Sequence, residues 1–194
     1  KDTEVCVAAA RVVGARGNKG AQKPLQKLID KSKDQVVIGQ GIDAMSELMG
    51  ADAEWDAQLA AFAVSEETEI RNAALLQLGK DGRGEHFDLL EAALQSPQWS
   101  TRLAAMRGLE AMRDKRGVPL LIGRMQQESG RMLVEFADAL FSLTGKPYRK
   151  AARSWEAWWE AEGASFEVIS LAELEKATRD EDIRRMKQIT SAKF

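Results

Sequence analysis

Residues 68–90 have the sequence TEIRNAALLQLGKDGRGEHFDLL, and residues 99–121 have the sequence WSTRLAAMRGLEAMRDKRGVPLL. The two segments share an Arg (Arg71, Arg102), an Ala three residues later, a Leu seven residues later and a Leu-Leu pair at eighteen and nineteen. A fixed period is typical of a solenoid, in which each helical hairpin buries its apolar face against its neighbours. The repeat therefore predicts an all-α fold, an α-solenoid of stacked helical hairpins.

The pattern can be placed five times along the chain. If the Arg position is counted as zero, the copies start at Cys6, Gly41, Arg71, Arg102 and Leu133. Position three is Ala in four copies and Phe136 in the last, and position seven is Val or Leu. Offsets of three and seven lie on one face of a helix. Small residues at position three should let the next helix approach closely.

A second helix is predicted in each unit, near residues 24–29, 55–62, 87–94 and 118–125. Pro24 and Pro119 fall in the first turns of these helices, where a missing N–H costs little. Glycines separate the helices, and no intervening segment is long enough to form a lid. Each unit is expected to be a helix, a turn and a second helix.

The repeats resemble the HEAT-like repeats of bacteria, whose short form has about 31 residues. The resemblance rests on residues 69–74 with Leu78-Gly79, and on residues 101–105 with Gly117-Val118-Pro119-Leu120-Leu121. It covers roughly residues 3 to 145. Membership would imply a protein that holds partners together, since few branches of the family are enzymes.

The first unit looks incomplete, because Thr3-Glu4-Val5 aligns with Thr68-Glu69-Ile70 in the middle of a unit. We therefore expect residues 1–163 to be an array truncated at its N-terminal end. An upstream part of the same chain would pack there as a cap.

The segment after Gly145 has a different character. Tyr148, Ala152, Trp155 and Trp159 form one helical stripe, and Trp158 lies beside it. Together with the preceding Leu-Thr-Gly-Lys, these residues resemble the ending of many bacterial HEAT-like arrays. The stripe predicts a Trp-rich C-terminal capping helix. The alternative is an aromatic surface that binds a partner, because Trp is often an interaction hot spot.

Residues 164–194 form a tail with one or two short helices in this interpretation. Ser170 and Glu173 have the spacing of a capping box, and Ile183, Met186 and Ile189 suggest a second helix. The tail either folds back along the array or serves as a docking peptide for another protein.

Composition excludes several classes of function. The 28 basic and 30 acidic residues give a net charge of −2, so no global basic field favours nucleic acid or an anionic membrane. No apolar run is long enough to span a membrane. Cys6 is the only cysteine, so no intramolecular disulfide forms. A cytoplasmic location is the default expectation, with a periplasmic or exported location as the alternative.

The sequence offers little catalytic chemistry. His86 is the only histidine, and it is expected on the surface at a helix start. Deoxyhypusine hydroxylase, which has similar helical repeats, needs several His-Glu pairs, whereas this chain has one. Lys146, Arg149, Lys150 and Arg153 near the Trp cluster superficially resemble HEAT-like DNA glycosylases, and phycobilin lyases share the short repeat. No cofactor or metal is expected.

The leading hypothesis is a non-enzymatic scaffold that binds a protein partner on its concave helical face. Arg71 is expected to bond Glu66, Glu67 or nearby carbonyls, whereas Arg102 lacks an adjacent acid and is predicted to face the partner. Positions five and six of the Arg-bearing helices should line the groove: Leu76 and Gln77, Arg107 and Gly108, Asp138 and Ala139. Trp158 completes the predicted partner-binding set of Arg102, Arg107, Leu76, Gln77 and Trp158. A HEAT-like enzyme, such as a DNA glycosylase or phycobilin lyase, is the alternative.

Overall fold

A computed structural model describes residues 8–10, 12, 16–17 and 19–191 of the chain, without the side chains of residue 19 and residues 188–191. The first predicted copy, from Cys6 to Val13, and the aligned residues Thr3-Glu4-Val5 lie outside or at the edge of this range. The chain divides into two compact units, residues 1–112 and residues 113–194.

Unit 1 consists of antiparallel helical hairpins. Its described α-helices are α1 (Gln22–Lys31), α2 (Gln35–Met49), α3 (Ala53–Phe62), α4 (Thr68–Lys80), α5 (Phe87–Leu94) and α6 (Trp99–Met112), with 3-10 turns at Lys19–Ala21 and Gly84–His86. Helix α2 packs against α4, and α4 packs against α6. Helices α1, α3 and α5 pack against α2, α4 and α6 respectively. The second helix predicted for each unit is confirmed.

Aspartates start two of these helices. The Asp34 carboxylate accepts a hydrogen bond from the Val36 main-chain N–H at 3.0 Å, and Asp52 accepts one from the Trp55 N–H at 2.9 Å. These side chains satisfy main-chain donors that have no partner within the helix. Both sequence signals are local, and each fixes where a helix begins.

The predicted register of the second copy is wrong. Arg71, Arg102 and Leu133 each lie three residues after the start of their helix, whereas Gly41 lies six residues after Gln35. Met45 is buried in the position expected for Leu48, which is only half-buried. The apolar residues of α2 satisfy the pattern in two registers, and packing selects the one three residues earlier.

Unit 2 contains α7 (Gly117–Met125), α8 (Gly130–Thr144), α9 (Ala152–Glu162) and α10 (Leu171–Ser191). Its core includes Phe136, Leu140 and Leu143 from α8 together with Trp155 from α9, all fully buried. Helix α9 packs against α7. The Trp-rich closing helix is therefore present, and its aromatic side chains fill the core of this unit. Across both units, no strand occurs among the described residues.

The tail forms one helix of 21 residues rather than two short ones. The capping box is confirmed, because the Ser170 N–H donates to Glu173 Oε2 at 2.7 Å and the Glu173 N–H donates to Ser170 Oγ at 3.2 Å. The segment before α10 contacts the rest of unit 2. The Ile169 N–H donates to the Leu143 carbonyl at 3.1 Å.

Candidate partner-binding face

Unit 1 has one face formed by the outward sides of α2, α4 and α6. Exposed and half-buried residues recur along each of these helices at three- and four-residue intervals, which places them on a common side. We call this surface the A face and define it by Val36, Gln40, Asp43, Glu47, Glu69, Asn72, Leu76, Lys80, Trp99, Leu103 and Arg107. Because α4 lies between α2 and α6, the A face is continuous across three helices.

The A face carries large apolar side chains in contact with solvent. Trp99 is 61% exposed and Val36 is 55% exposed, while Leu76 and Leu103 are half-buried. Single exposed apolar residues are ordinary on protein surfaces, but several on one face indicate an interaction site. Trp99 and Leu103 lie four residues apart on α6, so their side chains follow one another on the same side of the helix.

Arg107 lies at the next four-residue step on α6, after Trp99 and Leu103. Its side chain is 41% exposed, and it pairs with Glu110 at 2.8 Å. The rest of the face has more acids than bases, with Asp43, Glu47 and Glu69 exposed or half-buried beside Lys80. Leu76 and Arg107 are therefore accessible on a face of mixed charge, and their predicted place in a concave groove stays a prediction.

Gln77 and Gly108 do not share this face. Gln77 is 5% exposed, and its side-chain amide donates a hydrogen bond to Asp43 Oδ1 at 2.7 Å. This bond links α2 to α4. Gly108 is buried against Leu75 and Leu90. The prediction that position six lines the groove is wrong, because a step of one residue turns the side chain by about 100° toward the neighbouring helix.

Arg102 has hydrogen-bond partners, contrary to the prediction. Its Nη1 donates to the main-chain carbonyls of Ser96 at 3.0 Å and Pro97 at 2.9 Å. Arg71 makes the equivalent bonds, to the carbonyls of Ser65 and Glu66. Carbonyls of the preceding turn accept these bonds in both copies, so the missing acid near Arg102 has no consequence. Both arginines hold the turn that enters their helix.

Trp158 belongs to the core of unit 2. It is 4% exposed and meets Phe166 edge-to-face, with 5.1 Å between the ring centroids. Its Nε1 donates to Glu162 Oε2 at 2.8 Å. Since the side chain is enclosed and its polar atom is satisfied, Trp158 fits the capping role rather than the predicted partner contact.

Two of the four cations near the Trp cluster, Lys146 and Arg149, are engaged by acids. Lys146 donates to Glu162 at 3.0 Å, and Arg149 donates through Nε to Glu181 at 3.0 Å. The hydrogen bond from Lys146 lowers the pKa of the Glu162 carboxyl, and the hydrogen bond from Arg149 does the same for Glu181. These pairs reduce the positive charge that a nucleic-acid backbone would require.

His86 is not a free surface residue. Its side chain is 13% exposed, and its Nε2 lies 2.9 Å from both carboxylate oxygens of Asp56 on α3. The two residues are one repeat apart in sequence, so the stacking of neighbouring hairpins brings them together. The sequence contains no local signal for this contact.

Sequence reasoning missed Trp99 and Leu103 on the A face. A signal existed, because Trp99 stands at the first position of α6 where Thr68 stands in α4. A large aromatic residue at a position occupied by a polar residue in the preceding copy marks a departure from the repeat. The repeat itself does not require such a residue, so the departure marks a candidate for a role other than packing.

Within the described part of the chain, no helix is both long and apolar enough to cross a membrane. A family model described as HEAT repeats matches residues 56–140. No curated protein matches the chain. HEAT repeats generally serve as scaffolds for protein–protein interaction and are typically non-enzymatic. Residues 56–140 therefore match the HEAT repeat family, and the described residues form an all-α, HEAT-like fold.

Proposed function

We propose that this protein is a non-enzymatic scaffold and that a protein partner docks on the A face of unit 1. The observation that carries the proposal is the exposure of Trp99 beside Leu103 and Arg107 on α6. Trp and Arg are enriched among residues that dominate binding energy, particularly when apolar neighbours surround them.

The framework beneath this face supports the same proposal. The carbonyl bonds of Arg71 and Arg102 fix the turns that lead into α4 and α6, and the Gln77–Asp43 bond joins α4 to α2. A face built on helices held in this way changes little on binding, so less conformational entropy is lost there. The A face is thus a rigid platform with an exposed aromatic side chain.

The charge of the face favours a partner with basic residues near an apolar contact. Asp43, Glu47 and Glu69 lie on α2 and α4, whereas Arg107 on α6 is already paired with Glu110. Complementary charge at the rim of an interface raises the association rate and selects among partners. We therefore expect binding to weaken as salt concentration rises.

Site-specific photocrosslinking tests the location of the docking site. A photoreactive amino acid replaces Trp99 in one sample and the exposed Glu91 of α5 in a matched control. We expect one defined crosslinked protein from position 99 and no such product from position 91. The same product from both positions, or none from position 99, would contradict docking on the A face.

The enzyme alternative has its own experiment. The purified chain is incubated with duplex DNA that carries alkylated bases, and base release is measured. We expect no release above the rate without protein. Release above that rate would overturn the non-enzymatic proposal, and its persistence in Trp99→Ala would place the activity outside the A face.

A further inference from the structure

Asp56, Glu85 and His86 form a cluster of possible metal ligands in unit 1, outside the A face. Asp56 lies on α3, and Glu85 and His86 lie in the 3-10 turn before α5. Each residue offers one ligand atom, and the three atoms lie within 4.8 Å of one another. Asp56 is 8% exposed, whereas the Glu85 side chain is 61% exposed. The cluster is therefore anchored in the interior and open to solvent on one side.

The distances suit coordination of a metal ion. His86 Nε2 lies 2.9 Å from Asp56 Oδ2. Nitrogen and oxygen ligands bind a tetrahedral Zn²⁺ at about 2.0–2.2 Å, so two neighbouring ligands lie about 3.3–3.6 Å apart. His86 and Asp56 would separate by about half an ångström to admit the ion. The exposed Glu85 carboxylate needs only a small side-chain movement to become the third ligand.

Arg83 hydrogen-bonds one of the two carboxylate oxygens of Asp56. Its Nη2 donates to Asp56 Oδ1 at 2.5 Å and to Asp81 Oδ2 at 3.0 Å. Carboxylates that bind metal ions are usually hydrogen-bonded through the other oxygen, which fixes their orientation. Asp56 Oδ2 is not bonded by Arg83 and lies 2.9 Å from His86 Nε2, as Oδ1 does.

The local charge also favours a cation. Asp56, Asp81 and Glu85 surround the single guanidinium of Arg83. The three carboxylates and the one guanidinium have a formal charge of −2 together. An uncompensated charge is costly when part of the cluster is buried. A divalent ion would neutralise the cluster.

We propose that Asp56, Glu85 and His86 bind a divalent transition-metal ion, with Zn²⁺ the preferred one from this set of one nitrogen and two oxygen ligands. The ion ties α3 to the turn that precedes α5. It leaves at least one coordination position to water, because the described residues supply three ligands. This inference is independent of partner docking on the A face.

The experiment uses the untagged chain, treated with a chelator and then dialysed, with Cys6→Ser as the background to exclude thiol binding. Zn²⁺ is added, and the ring nitrogens of histidine are followed by NMR. Because His86 is the only histidine, the spectrum reports one site without assignment. We expect a saturable change of the His86 ring signals at one Zn²⁺ per chain and a rise in Tm of about 3–6 °C.

Glu85→Gln removes the exposed ligand, and Glu91→Gln on α5 is the matched control at another exposed carboxylate. Glu85→Gln should weaken Zn²⁺ binding about tenfold or more, whereas Glu91→Gln should bind as the parent does. Unchanged His86 signals on addition of Zn²⁺, or equal affinity of the two variants, would overturn the proposal. His86 and Asp56 would then form only a hydrogen-bonded pair.

Discussion

Gly79 on α4 and Gly108 on α6 bring the main chains of the two helices into direct contact. A Cβ atom at Gly79 would overlap the main chain of Gly108, and a Cβ atom at Gly108 would lie 2.9 Å from the Leu75 carbonyl oxygen. At Gly79 the obstacle is the main chain, which cannot rotate away, whereas at Gly108 the Leu90 side chain, 2.6 Å away, adds to the Leu75 carbonyl. This contact sets the spacing of the helices beneath the A face.

Gly79→Ala should therefore destabilise unit 1 by about 2–3 kcal/mol, because the added methyl group forces α4 and α6 apart. Gly123→Ala is the control, since a Cβ atom there meets nothing within 4 Å. That change should be neutral or stabilise the protein by about 0.5–1 kcal/mol through helix propensity. Urea unfolding measures both. Equal stability of the two variants would show that the helices do not depend on this contact.

Arg71→Ala should lower the free energy of unfolding by about 1–3 kcal/mol, because the carbonyls of Ser65 and Glu66 lose their donor. Arg131→Ala is the matched control, since its side chain is 91% exposed and its pair with Glu135 lies on the surface. We expect that control to change stability by less than about 0.5 kcal/mol. Similar losses would argue that Arg71 has no structural role.

Acidification should weaken unit 2 through Glu181. The hydrogen bond from Arg149 lowers the pKa of this carboxyl below 4.5. The folded state thus binds the proton less readily than the unfolded state, so the stabilisation is complete above the unfolded pKa and disappears as pH falls through the folded pKa. Glu181→Gln should cost about 1–2 kcal/mol at pH 7. Its difference from the parent should shrink below pH 4.5.

Urea unfolding between pH 3 and pH 7, followed by Trp fluorescence, measures this difference, and Glu175→Gln on the exposed side of α10 is the control. A difference between Glu181→Gln and the parent that stays constant over this range would contradict a role for the ionised carboxylate.

Removal of the tail should destabilise unit 2, because Phe166 packs on Trp158 and Trp159 and the Ile169 carbonyl accepts a hydrogen bond from Arg113. A chain that stops after residue 163 should lose at least about 5 °C in Tm. A chain that stops after residue 187 keeps these contacts and should melt near the parent temperature. Equal Tm values for the parent and the chain that stops after residue 163 would favour the docking-peptide alternative.

The helix order, the second helix of each unit, the Trp-rich closing helix and the capping box at Ser170 were predictable from the sequence. Each depends on residues close together in the chain: apolar residues at helical spacing, Pro and Asp at helix starts, and a Ser–Glu pair three residues apart. The resemblance to HEAT repeats agrees with the family match over residues 56–140.

The sites were predicted less well, because they depend on contacts between repeats. Gln77 differs from Leu76 by one position, yet the neighbouring helix α2 encloses Gln77 and leaves Leu76 half-exposed. Arg102 is satisfied by main-chain carbonyls, which any sequence supplies, so a missing acid carries no information. His86 meets Asp56 across 30 residues. Such pairs can be recognised only from the three-dimensional arrangement of the stacked hairpins. The partner-binding role of Leu76 and Arg107 stays a prediction.

Two tryptophans separate the structural from the binding role most clearly. Trp158→Ala removes a buried ring and should cost about 3–5 kcal/mol. Trp99→Ala removes a ring that is 61% exposed and should change stability by less than about 0.5 kcal/mol. Trp158→Ala should therefore lower Tm, whereas Trp99→Ala should leave Tm nearly unchanged and weaken partner binding.

The affinity of the crosslinked partner, once purified, for the Trp99→Ala variant tests the central claim most directly. We predict a rise in Kd of about tenfold or more at unchanged Tm, as expected for a hot-spot side chain, and no rise for the control Glu91→Ala. Binding of Trp99→Ala with the parent affinity, or equal weakening by both variants, would contradict docking on the A face.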